Sequence, residues 1–171
     1  MMRLEIAIDL IVPDNTAFTV LTALRQLGYT ALERVERTEI VELEIDAPHA
    51  ATEDLVAKVM RAEILFNPNK HRLSYAPSSA PAAEGNGAAQ WEALVVDRDD
   101  ETSGLVTLLA GPFGLSGLKT LSRGVAWRLH EANGPAPKAR IEWACRELLA
   151  NPFSQVFHVR PAPARTVAAT R

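Results

Sequence analysis

The chain has a single cysteine, Cys145, in 171 residues, so no internal disulfide can form. That fits a reducing compartment. No basic stretch stands out and the formal net charge is −3, which argues against nucleic-acid binding, where a basic patch supplies most of the affinity. No apolar run approaches the roughly 20 residues of a membrane-spanning helix. The opening "MMRLEIAIDL" carries Glu5 and Asp9 inside its apolar run, whereas a secretory leader needs an unbroken apolar core there, so export is not expected. The histidines His49, His71, His130 and His158 show no metal-ligand spacing. None sits at a position obviously paired with Cys145, which reads as a core residue on the apolar face of its helix. No metal site, cofactor site or catalytic constellation is expected in the chain.

Apolar residues make up 47% of the sequence, enough for a packed core. "RLEIAIDLI" alternates, with Leu4, Ile6, Ile8 and Leu10 on one side and Arg3, Glu5, Ala7 and Asp9 on the other, the pattern of a half-buried strand. A helix follows in "DNTAFTVLTALRQLG", with Asp14, Asn15 or Thr16 to cap it and Gly28 to end it. "VERTEIVELEID" alternates again. A second helix is expected from about Thr52 to Phe66, stopped at Asn67-Pro68 because a residue before proline avoids the helical region. "HRLSYA" reads as a short strand. The order then returns: strand "WEALVVD", short helix "DDETSGLVTLLAG", long strand "LKTLSRGVAWRLHEA" bent at Gly124, helix "APKARIEWACRELLAN", strand "SQVFHVR". The segment between holds no large apolar residue. The expected division is module one at 1–76, a flexible Ala/Pro/Ser/Gly linker at 77–89, module two at 90–160 and a disordered tail at 161–171. A linker of that length reaches roughly 20 Å as a coil.

A longer comparison supports a repeat. Shifted by 86 positions, Leu32 meets Leu118, Val35 meets Leu121, Arg37 meets Arg123, Val41 meets Trp127 and Leu43 meets Leu129. "EILFNP" (Glu63 to Pro68) meets "ELLANP" (Glu147 to Pro152) at a shift of 84. Two β-α-β-α-β modules follow, each of a size at which a lone core is marginal, so each needs its free face or edge covered by the other. Among local motifs, "GPFGLSG" stands in helix–loop–strand order rather than the strand–loop–helix of a phosphate cradle, and reads as a turn. Glu42, Glu44 and Asp46 share an outward strand face. Arg37 and Arg123 read as arginines reaching past the apolar side of their strands, with a recurrent ion pair or a partner contact as the functional reading. Trp143 points off the stripe of its helix, which suggests a contact surface.

The run "ELLANPFSQVF" resembles the helix end and following strand of the small PurS-type subunit of phosphoribosylformylglycinamidine synthase, and Leu148 to Pro152 is its most specific piece. "VERTEIVELEID" resembles that family's long second strand, at Glu42 and Leu43, and "EILFNP" in the first half matches more loosely. The chain departs from the family at Thr38-Glu39 and Gly124-Val125, and after each Asn-Pro, where "NKHR" and "FSQV" lack the usual acidic pair. The resemblance implies an α+β fold of two ferredoxin-like, PurS-like modules, each an antiparallel sheet with two helices on one face, paired in tandem as a pseudo-dimer. It implies a cytoplasmic, non-catalytic subunit that joins the large amidotransferase subunit to the glutaminase subunit in purine biosynthesis and helps ammonia reach its substrate. The complex would use ATP, Mg and glutamine, and this chain would bind no cofactor, nucleic acid or membrane. Candidate partner-interface residues are Asn67, Pro68, Asn151, Pro152, Arg37, Arg123 and Trp143. The rival class is a sensor that binds a small molecule between paired modules, and self-association is compatible with either.

Overall fold

The computed structural model describes residues 1–77, 80–82, 84–85 and 88–169. The first half runs β1 (Met2–Leu10), α1 (Asn15–Gln26), β2 (Leu32–Ile45), a 3-10 turn at His49–Ala51, α2 (Thr52–Arg61) and β3 (His71–Pro77). The segment between the halves contributes β4 (Glu84–Gly85) and β5 (Ala88–Ala89), which pair with each other. The second half runs β6 (Trp91–Asp97), α3 (Ser103–Ala110), β7 (Leu118–Glu131), β8 (Gly134–Pro135), α4 (Lys138–Ala144) with a π-helical turn at Cys145–Leu149, β9 (Gln155–Pro161) and β10 (Thr166–Val167). The β-α-β-α-β order is present twice.

The modules do not pack as separate sheets. One antiparallel sheet runs β10-β3-β1-β2-β7-β6-β9, and its seam is β2 against β7. Both seam strands are continuous over 14 residues, so neither is folded in two at the expected bend. Gly124 has another purpose: a Cβ there would lie 2.8 Å from the Val95 carbonyl oxygen and from Val96 Cγ1, so β6 closes on β7 only over a bare backbone. Glu39 pairs directly with Val125, its repeat equivalent. The sequence-derived shift therefore places a pseudo-two-fold axis on the seam.

All four helices cover one face, and they do not sort by module. One cluster joins Leu4, Ile6, Leu43, Val56 and Val59 of the first half to Leu109, Leu115 and Leu121 of the second. The other joins Leu24, Tyr29 and Leu32 to Val95, Trp127, Leu129, Ile141 and Cys145. Burial pushes the Cys145 thiol up to about 12, as a core cysteine requires. The bare face holds a small apolar centre, Ala7, Ile40, Leu94 and Ala126, and beside it an ionic cluster. Glu92 is fully buried and Glu5 nearly so. Arg160 and Arg165 each bond both carboxylates, with Arg165 Nη2 at 2.7 Å from Glu5 and 2.9 Å from Glu92. Glu5 lies on β1 and Glu92 on β6, with β2 and β7 between them. Adjacent strands lie about 4.8 Å apart, so a shared guanidinium requires a sheet curved over its bare face.

Several expectations change. The stretch 161–169 is ordered: Ala162 is buried, Arg165 enters the ionic cluster and β10 pairs with β3. Charge burial and ladder hydrogen bonds hold a segment whose composition alone has no reason to fold; residues 170–171 lie outside the described residues. In the 77–89 segment, Pro77 completes β3, Ala82 bridges to Pro163 and the Pro81 carbonyl accepts from the Ala164 N–H; the expected flexibility at 78, 79, 83, 86 and 87 lies outside the described residues. Helix α2 ends at Arg61, not Phe66, because Ala62 leaves the helical region at ψ 87 and turns Phe66 into the core. "GPFGLSG" is a turn: Gly117 at φ 89 passes so close to Asp46 that an added Cβ would lie 2.9 Å from its carbonyl oxygen.

On the bare face, Glu36 accepts from His130 at 3.0 Å and lies beside Arg128. The His130 hydrogen bond, aided by the neighbouring arginines against the opposing effect of burial, holds its carboxyl down from 4.5 to about 2. A depressed folded value contributes stability above pH 4.5 that disappears as pH falls toward 2. Thermal melts across that window should show a decline that flattens in Glu36→Gln; parallel curves would refute the assignment.

Candidate partner interface

The helices leave a gap over the seam. A cleft of about 450 Å³ opens there, lined by Ile8, Val41, Val95, Trp127, Leu65 and Leu149, with Glu39, Asp97, Asp100, Arg123 and Gln155 at polar positions. Its apolar lining comes in repeat pairs: Ile8 with Val95, Val41 with Trp127, Leu65 with Leu149. The cleft therefore straddles the pseudo-two-fold axis. Ile64 also lines it, and Ile64 and its repeat equivalent Leu148 are 43% and 40% exposed. An aliphatic side chain kept in solvent at the same place in both copies is unusual for core-driven packing and suits a contact surface.

Of the sequence-derived residues, Arg123 lines this cleft, and Arg37, Asn67, Pro68, Asn151, Pro152 and Trp143 are not among its lining residues. Arg37 bonds Asp14 at 3.6 Å and Arg123 bonds Asp100 at 2.5 Å. The recurrent ion pair, not the lone reaching arginine, is thus the reading that the structure supports. The Arg123 hydrogen bond holds the Asp100 carboxyl below its ordinary value. Asp14 also accepts from the Thr16 and Ala17 N–H groups, capping α1, so each pair ties a helix start to a seam strand. Trp143 is not a surface residue: it is half-buried and packs edge-on against Tyr29, ring centres 6.0 Å apart, and Tyr29 donates to Glu131 at 2.6 Å.

The Asn-Pro turns repeat in detail. The Asn67 side chain accepts from the Asn69 N–H, its carbonyl accepts from the His71 N–H, and its own N–H donates to His71 Nδ1. Asn151 makes the same three bonds, to Phe153 and twice to Gln155. The asparagine is needed to fold the helix-to-strand turn that follows Ile64 in the first half and Leu148 in the second. The second Asn-Pro follows the helical stretch at once; the first follows a further turn.

Sequence reasoning missed the ionic cluster. A signal existed: Glu5 and Glu92 occupy equivalent places, since β1 and β6 pair with the seam strands in corresponding registers. Glu5 was read as one residue of the polar side of an alternating strand, and Glu92 was not singled out. Among the described residues, no group of three or more His, Cys, Asp or Glu could hold a metal, and no helix is long and apolar enough to cross a membrane.

No curated protein matches the chain. The matched family span falls on the first module, where the sequence resemblance is looser, rather than on the second. Residues 3–78, from β1 through β3, match the family model PurS, described as Phosphoribosylformylglycinamidine (FGAM) synthase.

Proposed function

We propose that this chain is the assembly subunit of an FGAM synthase complex in purine biosynthesis, a pseudo-dimer that bridges the large synthase subunit and the glutaminase subunit in the cytoplasm. The observation that carries the proposal is the PurS match over residues 3–78. The repeated seam, turns and ion pairs extend the same geometry to the second half. The subunit is non-catalytic. It presents the seam cleft with Ile64 and Leu148 to a partner, and ATP, Mg and glutamine are bound by the larger subunits while ammonia passes between them. The chain should coprecipitate with both subunits and raise glutamine-dependent activity. Failure of either result sinks the proposal. An Ile64→Lys, Leu148→Lys variant should lose most of that binding, with an unchanged circular dichroism spectrum.

A sensor role has one observation in its favour. A cavity of about 700 Å³ opens on the bare face between the halves, lined by Arg3, Glu42, Glu44, Thr120, Ser122 and Arg160 among others. A metabolite panel in thermal shift separates the readings, because a sensor gains stability with ligand concentration and a scaffold does not.

A further inference from the structure

The repeat is broken at one edge. Strands β3 and β9 are equivalents: Leu73 pairs with Ile8 as Phe157 pairs with Val95. The outer edge of β3 is covered by β10, with Thr166 opposite Tyr75, Val167 opposite Ser74, and the Ala168 N–H donating to the Leu73 carbonyl. By equivalence, Phe157 and Val159 point their backbone groups outward on β9. Those groups have no partner among the described residues. Edge protection on β9 is confined to its last two residues, Arg160 and Pro161; there is no lysine and no bulge against β6. Phe153, two residues before β9, is 92% exposed.

We propose that β9 is a self-association edge, paired antiparallel with β9 of a second copy about a two-fold axis at His158. That register sets Phe157 opposite the partner's Val159, and Val159 opposite the partner's Phe157, on the helix-covered face. Both side chains are half-buried there against the core and gain an apolar cross-strand neighbour. On the other face it sets His158 against its own copy and Arg160 against the partner's Val156, so no pair of carboxylates or guanidiniums is opposed. The chain's tail cannot serve this edge, because it is already committed to β3. A partner's strand could use it, but self-pairing satisfies both open edges in one closed contact. With β10 on the far side of the sheet, the assembly stops at two.

The test is mass by light scattering after size exclusion, on the full chain from micromolar to hundreds of micromolar. A dimer is expected to grow in across that range. His158→Glu, which opposes two carboxylates across the axis at an exposed position, should remain monomeric throughout with an unchanged melting curve, and His158→Thr should keep the dimer. A wild-type chain that stays monomeric overturns the proposal, including one that pairs only when partner subunits are added. So does a dimer that survives His158→Glu. Because the assay uses no partner, it fails or succeeds independently of the proposed synthase role.

Discussion

Replacing Arg165 with alanine is expected to lower stability by about 3 kcal/mol or more, the scale for removing one partner from a buried ionic cluster. In a chain of this size that lowers Tm by roughly 10 °C. The arginine side chain is 8% exposed and bonds Glu5 through Nε and Nη2, and both oxygens of Glu92 through Nη2. Without it, two carboxylates, one fully buried, share Arg160 alone. The mechanism makes a second, sharper claim. Adding Glu92→Gln to Arg165→Ala removes the surplus charge and should restore part of the loss, although Glu92→Gln alone destabilises. Urea titrations of the four proteins close the cycle. A cost below 1 kcal/mol for Arg165→Ala, or strictly additive effects, would show that the crossing tail is not anchored by charge.

The tail also shows where sequence reading stops. Alternation, helical periodicity and capping signals placed the helices and long strands, because those signals are local. The repeat shift of 86 identified the equivalent strands but not their pairing, because a two-fold axis can sit at any residue of an antiparallel pair and only the fold sets it at Glu39 and Val125. Arg165 has no local signal. Its order depends on Glu5 and Glu92, distant in sequence and brought together only by sheet curvature. Trp143 fails for the same reason, because the surface that buries it is Tyr29 of the other module. At the candidate interface, Arg37 and Arg123 were legible as equivalents, but their acidic partners lie at helix starts that only the fold brings to the seam. The roles of Asn67 and Asn151 were misassigned in part: the pattern predicted a stop, and the side chains build the turn that follows.

The two halves, produced as separate polypeptides 1–78 and 88–171, are expected to assemble with each other in preference to themselves. Neither core is complete alone, since each hydrophobic cluster mixes residues from both. Self-pairing of the first half through β2 is disfavoured by charge. In the intact chain Glu39 faces Val125, Glu36 faces Arg128 and Glu42 faces Ser122. A symmetric pair of first halves would oppose Glu39 to itself and Glu36 to Glu42 twice, and like charges directly across an antiparallel ladder are destabilising. The second half removes all three conflicts, which is specificity by penalty on the wrong pair. Fragment 1–78 at micromolar concentration should therefore lack a cooperative melt, gain one on mixing with 88–171, and elute with it at one-to-one stoichiometry. Glu39→Val should let 1–78 self-pair more readily. A folded 1–78 monomer, or a 1–78 homodimer as stable as the mixture, would mean that the halves are independent modules and that the seam does not hold them to one fold.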